Sequence, residues 1–408
     1  MIPRLRFSEF NESWSEVLLE TVSTRVTGHT PSKKHKEYYG EDYSWVSLQD
    51  SSSLDNRYIY ETKVKITALG IENSSAVLLP IETVIMTRDA GVGKLGVLGL
   101  PMAVSQHFVG WICKPKLYQF FLYYSLYRAK PEFERIAVGN TIKTIGMGYF
   151  KKMKVAIPIL SEQMRISKLL FRFDDKIDLL TKKKEALENY KKGLMQKIFS
   201  QELRFKREDG TDYPEWETYC IADLGEFFNG LTGKNSSHFG HGNSQYVQYS
   251  QVFRNSYIKL DECNNVDVDD SDKQNALKEG DALFTTSSEV ADEVAFASIV
   301  LNKPEIDTYL NSFCFGLRLN SLLAPSFAQY LFRTTIFRKA VYPLAQGSTR
   351  YNVSKKEIGK VKLLIPSVKE QNHIAKSFRI LDSKIEQLIL FKKKTEQLKK
   401  GLLQQMFV

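Results

Sequence analysis

The sequence has no run of roughly 18 apolar residues, the length a membrane-crossing helix needs. Its start, Met1-Ile-Pro-Arg-Leu-Arg, lacks the apolar segment of a secretory signal. Both absences predict a cytoplasmic protein without a membrane partner. The longest aromatic stretch, 117–127, is broken by Gln119 and Ser125 and reads as a core helix. Cysteine is scarce: Cys113, Cys220, Cys263 and Cys314 lie far apart with no Cys-x-x-Cys pair, and read as reduced, isolated residues. His238 and His241 are the one close histidine pair, and with no further ligands nearby in sequence no metal site is expected.

Catalytic signatures are missing too. Ala90-Gly91-Val92-Gly93-Lys94-Leu95 has Arg88 where a phosphate loop needs its first glycine and Leu95 where it needs Ser or Thr, so Gly91 and Gly93 read as a turn. There is no Asn/Asp-Pro-Pro-aromatic tetrapeptide, no Gly-x-Ser-x-Gly elbow and no dinucleotide fingerprint after a strand. The acidic run Asp269-Asp270-Ser271-Asp272 reads as a solvated loop. The expectation is a binding protein, not an enzyme.

What is present is an ordinary folding composition, 43% hydrophobic and 25% charged, in a chain of 408 residues, long enough for two to four domains. Aromatic residues are generous, with 20 Tyr and 25 Phe, which suits β-rich domains and interaction surfaces. The net charge of +10 has a location. Residues 163–199 hold 10 Lys and Arg against 5 Asp and Glu, and residues 371–407 hold 8 against 3. Each segment therefore carries half of the excess, and the rest of the chain is formally neutral. A nucleic-acid surface elsewhere would depend on local clustering.

Those two segments are copies. An offset of 208 residues aligns Ile157-Pro158 with Ile365-Pro366, Glu162-Gln163 with Glu370-Gln371, and Lys191-Lys192-Gly193-Leu194 with Lys399-Lys400-Gly401-Leu402. Over 152–199, 20 of 48 positions are identical without a gap. Upstream, Gly139-Asn140-Thr141 faces Gly347-Ser348-Thr349. Leu5-Arg6-Phe7 matches Leu203-Arg204-Phe205 at an offset of 198, and Trp14 corresponds to Trp216. The chain reads as two tandem units, each a variable body followed by a better preserved tail.

Each tail has a helical period. Ile166, Leu170, Phe173, Ile177, Leu180, Leu187, Leu194 and Ile198 step by threes, fours and sevens, and Ile374, Phe378, Leu381, Ile385, Leu388, Leu402 and Met406 repeat the pattern with one gap of two heptads. Pro158 and Pro366 stand just before the pattern, where proline is tolerated, and Ser161 reads as a cap of the first copy with Lys369 in its place in the second. About 37 residues make a rod of roughly 55 Å whose apolar stripe needs a partner. The simplest partner is the other copy, packed antiparallel with the bodies at opposite ends. Gly193 and Gly401 suggest close backbone approach. Lys184 and Lys392 interrupt the stripe, either setting register or snorkelling to solvent.

The bodies, 1–153 and 204–361, show short runs rich in Val, Ile, Tyr and Phe at 76–81, 83–87, 96–100 and 295–301, with helical patterns at 118–128 and 327–338. The expected fold is α+β: two β-rich domains separated by long helices at 154–203 and 362–408, packed as an antiparallel coiled coil with pseudo-twofold symmetry from tandem duplication. Candidate clusters of basic and polar residues lie at Lys33, Lys34 and Lys36, at Arg88 and Lys94, at Thr141 and Lys143, at Lys234 with Asn235, and at Ser348, Thr349, Arg350 and Tyr351. Each is a candidate phosphate or base contact, against the plainer reading of an exposed loop side chain. The lysine runs at 182–184 and 392–394 suit DNA backbone, an acidic partner or solvent equally.

Two variable bodies alternating with helices opened by Pro-x-x-x-Glu-Gln and closed by Lys-Lys-Gly-Leu-x-Gln-x-x-Phe resemble the specificity subunit of Type I restriction-modification enzymes. Gly347-Ser348-Thr349-Arg350, Thr30-Pro31-Ser32 after Gly28, and the Leu-Arg-Phe opening each unit add to the resemblance, which covers the whole chain. The first copy departs with Ile142 where the second has Arg350, so a contact of that arginine does not carry over. The resemblance implies a non-catalytic reader of double-stranded DNA. Each body would be a target recognition domain binding half of an asymmetric bipartite site, and the helices would set the unread spacer. It also implies two modification subunits docked on the helices, bringing S-adenosylmethionine, and restriction subunits bringing ATP and Mg. This chain itself would hold no cofactor. The rival reading is a coiled-coil scaffold whose bodies bind proteins; a single-chain nuclease or methyltransferase is opposed by the missing motifs.

Overall fold

The computed structural model describes residues 2–269 and 271–408, so Asp270 of the acidic run lies outside the described residues. The chain divides into two compact units, Met1–Thr181 with Leu390–Val408, and Lys182–Ile389. Each unit holds one body and a stretch of both tails.

The tails are helices Leu160–Phe199 and Val368–Met406. At 40 and 39 residues they are longer than the periodic segments, about 60 Å each. Proline stops the preceding strand, and helix begins two residues later. Ser161 lies inside the first turn and is not the cap; the cap belongs to the second copy, where the Ser367 hydroxyl accepts from Glu370 N at 3.4 Å. A cap stands immediately before the helix, and Ser161 follows Leu160, already inside it.

In the first unit Ile166 and Leu170 share a core with Leu403, Met406 and Phe407. In the second, Ile198 and Phe199 share one with Ile374, Ala375 and Phe378, the Phe199 and Phe378 rings stacking at 6.4 Å. Early residues of one helix meet late residues of the other, so the helices run antiparallel in both units. Leu180 and Ile385 are buried as well. Phe173, Ile177, Leu187, Leu194, Leu381, Leu388 and Leu402 are half-buried. Burying a Leu or Phe fully contributes about 2 kcal/mol, so the stripe holds the pair together. A Cβ added at Gly193 or Gly401 would meet nothing within 4 Å among the described residues, which show no close backbone approach there. Lys184 and Lys392 pair with Glu188 and Glu396 on their own helices, one turn on.

The motif residues of the tails join helix to body. Arg6 grips Glu162 with two bonds, Nε to Oε1 at 2.8 Å and Nη2 to Oε2 at 2.7 Å, and Arg204 holds Glu370 in the same way. Both glutamates are fully buried, which requires such a partner. Gln163 accepts from Tyr118 N and donates to the carbonyls of Lys116 and Pro158; Gln371 repeats this with Ala324 N, Leu322 and Pro366. A two-stranded ribbon roots each body: Ser15–Leu18 with Lys154–Ile157, and Glu217–Cys220 with Lys362–Ile365.

Both bodies mix sheet and helix. The first has a five-stranded sheet in the order Ser23–Thr27, Phe108–Cys113, Val84–Thr87, Leu95–Leu98 and Tyr58–Ile59. The second has Gly225–Asn229, Cys314–Leu319, Asp281–Thr285 and Ala297–Ile299. A smaller three-stranded sheet accompanies each, centred on Tyr39–Val46 and on Phe239–Val247. The run at 76–81 is not a strand: only Leu79 bridges, to Met102, while Val77, Leu78 and Ile81 stay exposed. Its neighbour Pro80 has no N–H to offer a ladder. Helix Gln119–Ile136 extends the expected one, whereas 327–338 is two helices, Pro325–Leu331 and Thr335–Val341, because the Thr334 side chain caps the second by accepting from Phe337 N. The four cysteines are free thiols. Among the described residues no helix is long and apolar enough to cross a membrane, and no three His, Cys, Asp or Glu side chains form a metal-holding group.

Candidate functional site

In the first body a cleft of about 750 Å³ opens between the 29–36 loop and the sheet ends, lined by Lys33, Lys36, Trp45, Gln49, Gln106 and His107 among others. The loop is held from below: Trp45 Nε1 donates to His29 O at 3.0 Å and the Tyr39 hydroxyl to Pro31 O at 2.6 Å. Burial pushes the Tyr39 phenol up from its ordinary value. Lys33, Lys34 and Lys36 are exposed, and the first and last of them project along the cleft. Burial of Trp45 beneath them therefore fixes a loop whose cations stay in water.

A neighbouring loop cluster carries the next candidates. Thr141 and Lys143 are exposed and share a shallow depression with Ala90, Gly91 and Val92. Backbone bonds tie this loop to the strand end, Ile145 N to Arg88 O at 2.8 Å and Arg88 N to His107 O at 2.9 Å. Arg88 is half-buried, and its Nε is buried with no hydrogen-bond partner among the described residues. Lys94 is turned inward, its ammonium 3.4 Å from Ser51 O. Gly91 and Gly93 have φ of +108° and +85°, the turn that their spacing indicated. Asp89 accepts from His107 Nδ1 at 2.7 Å, linking this cluster to the cleft.

In the second body Lys234 is engaged: its ammonium meets Asp272 at 2.5 Å and its side chain is 7% exposed. That hydrogen bond, helped by the Asp269 amide, holds the Asp272 carboxyl below its ordinary range. One residue of the acidic run is thus ion-paired and not simply solvated. Asn235 caps a single turn by accepting from Ser237 N at 3.0 Å. Ser348, Thr349 and Arg350 are exposed on a loop closed by Gly347, and half-buried Tyr351 pairs with Ser288 across a short ribbon. The Arg350 guanidinium lies 5.4 Å over the ring of Phe313.

The loops at Gly139 and Gly347 are the same construction. Their φ angles are +133° and +129°, and a Cβ at either would lie 2.2 Å from the carbonyl oxygen three residues on. His107, Asp89 and Phe313 carry no local signal that would have marked them. They sit on separate loops, and internal similarity has faded where they occur.

The family model for the Type I restriction modification DNA specificity domain matches residues 11–189 and 213–400, one copy for each repeat. The chain belongs to this family. The MjaIX specificity subunit of a Type I restriction enzyme from Methanocaldococcus jannaschii is 27% identical over 224 residues, an alignment covering 52% of this chain and 52% of that one. The putative MjaX specificity subunit of the same organism is 23% identical over 425 residues, covering 98% of this chain and 93% of its own. The crystal structure of a Type I restriction-modification S subunit from M. genitalium superposes with a TM-score of 0.57 at 14% identity, covering 100% of this chain and 99% of that one. The fold of two specificity domains with paired long helices is thus shared along the whole chain.

Proposed function

We propose that this chain is the DNA-reading, non-catalytic subunit of a Type I restriction-modification enzyme, each body binding one half of a bipartite, asymmetric site. One observation carries the reading: both bodies build the same glycine-closed loop beside the same sheet end and furnish it with different side chains, Thr141 and Lys143 in one, Ser348 to Arg350 in the other. A shared platform with different occupants suits two readers of unlike sequences. Exposed cations on the platform, Lys143 and Arg350, and on the cleft beside it in the first body, Lys33 and Lys36, would neutralise phosphates or reach base edges.

The paired helices would hold the half-sites at a defined separation, and their outer faces would receive two modification subunits. In the first unit Leu179, Leu390, Phe391 and Leu398 are exposed on the helices, and in the second Tyr190, Ile380 and Ile389. S-adenosylmethionine, ATP and Mg would belong to the modification and restriction subunits, in a cytoplasmic assembly.

The test is co-expression with the neighbouring modification subunit, followed by mapping of methylated bases in the host genome. A bipartite motif, one half of which changes when one body is exchanged for that of another family member, supports the reading. A continuous motif, or none, overturns it. Removing matched turns from both helices is expected to shorten the spacer and leave the bases read unchanged.

A further inference from the structure

Backbone bonding identifies corresponding positions in the two bodies where side-chain similarity is lost. In the first, Arg88 N donates to His107 O at 2.9 Å and Ile145 N to Arg88 O at 2.8 Å. In the second, Thr286 N donates to Phe313 O at 2.9 Å and Val353 N to Thr286 O at 3.0 Å. His107 and Phe313 therefore hold one place, each immediately before the strand Phe108–Cys113 or Cys314–Leu319. By the glycine-closed loops, Ile142 and Arg350 hold another.

The chemistry at these places is opposite. The Asp89 carboxylate only accepts, so the proton between it and His107 rides on Nδ1, and a ring that carries that proton alone presents Nε2 as an acceptor. The Asp89 side chain is 13% exposed and His107 is 34% exposed, on the wall of the cleft beside Lys33 and Lys36. The ring is thus pinned on one edge and open on the other. At the same place in the second body Phe313 has no hydrogen-bonding edge and serves as a bed for Arg350, whose guanidinium only donates.

We propose that these two adjoining places together read one base pair in each half-site with opposite hydrogen-bonding sense: His107, held by Asp89, accepts from the exocyclic amino group of adenine or cytosine, and Arg350, steadied by Phe313, donates to guanine. The proposal rests on the DNA-reading function above. Adenine N6 and cytosine N4 are the donors of the major-groove edge, and guanine O6 and N7 are acceptors that suit a guanidinium. An acceptor facing the O6 of guanine or the O4 of thymine opposes two lone pairs. Discrimination at each position is expected to be about tenfold to a hundredfold.

The experiment uses the full chain co-expressed with its modification subunit, reading the methylated motif genome-wide together with the thermal midpoint of the purified complex. His107→Phe is expected to relax one base of the first half-site, an adenine or a cytosine on one strand, and to leave the second half intact. Arg350→Ala is expected to relax one guanine of the second half only. Asp89→Asn keeps the size of the side chain and is expected to weaken the same first-half base as His107→Phe, so a misfolded histidine variant does not decide the matter. Unchanged motifs in His107→Phe and Arg350→Ala, or changes spread over several bases of both halves, overturn the assignment. A wild-type chain without a bipartite motif overturns the DNA-reading function itself, a result distinct from the first.

Discussion

Lys399 donates to the carboxylate of Asp174, tying the second long helix to the first. The Tyr124 hydroxyl donates to the same carboxylate at 2.6 Å, and the Lys399 ammonium sits 4.9 Å over the Tyr127 ring. Burial, then the nearby carboxylate, raise the Tyr124 phenol far above its ordinary range, so it remains a donor. In the other unit Asp382 accepts from Lys191 and from Tyr330 at 2.8 Å, and each lysine and aspartate is the 208-residue counterpart of its fellow. An antiparallel register that buries an ion pair is self-consistent in one alignment only.

Asp174→Ala is therefore expected to destabilise the first unit by about 3 kcal/mol, because the Lys399 ammonium, on a side chain only 13% exposed, would lose its counter-charge. Asp174→Leu combined with Lys399→Met is expected to recover a large part of that loss. Thermal melting of both single variants and the double variant checks it; strict additivity of the single losses would show that the pair does not couple.

The lysines divide by what they already touch. Lys33→Ala and Lys36→Ala are expected to weaken DNA binding evenly across sequences and to lower the salt slope by about 0.9 for each phosphate left without its cation. Lys94→Ala and Lys234→Ala are expected to leave the slope unchanged, since both ammonium groups are spent within the body. Lys234→Ala has a different signature. Asp272 is held below its ordinary 3.8, so the pair's contribution is complete above that value and is lost as pH falls through the lowered one. In the variant the Asp272 carboxyl is expected to titrate higher, which carbon-detected NMR titration of that residue measures.

The helices were legible because a 3.6-residue period over some forty positions has no competing reading, and duplication repeated the signal. Their details were not. Ser161 looked like a cap because caps and first-turn residues share a composition, and only the point at which the helix begins, Leu160, separates them. The break at Thr334 was hidden for a related reason: apolar residues continue at helical spacing on both sides of it. In the candidate site, charge clustering gave Lys33, Lys36, Lys94 and Lys234 equal weight, because the partners that engage the last two, Ser51 O and Asp272, are distant in sequence. Asp89 and His107 are 18 residues apart on different loops and acquire meaning only when the sheet brings them together.

Gly347 is a sensitive position of the second body. Its φ of +129°, and the 2.2 Å that would separate a Cβ there from Arg350 O, leave no room for a side chain. Gly347→Ala is expected to cost more than about 1 kcal/mol locally and to displace Ser348, Thr349 and Arg350 together. Methylation mapping is expected to show a degraded second half-site with the first retained, and Gly139→Ala the reverse. Equal damage to both halves in either variant would mean that the loops do not act separately.

Gly193 and Gly401 pose the opposite case, since glycine is tolerated within these helices without being demanded by them. Each lies in a helix interior, where glycine costs about 1 kcal/mol relative to alanine through backbone entropy, and each has open space where a Cβ would go. Gly193→Ala and Gly401→Ala are expected to raise stability by roughly 0.5 to 1 kcal/mol apiece, additively if the sites are independent. Thermal melting of the isolated chain reads this directly. If the substitutions stabilise the chain and yet weaken co-purification with the modification subunit, the open space above the glycines is occupied in the assembly, and the partner's backbone passes there. If co-purification is unchanged, the two glycines are relics of the duplicated ancestor and carry no packing role.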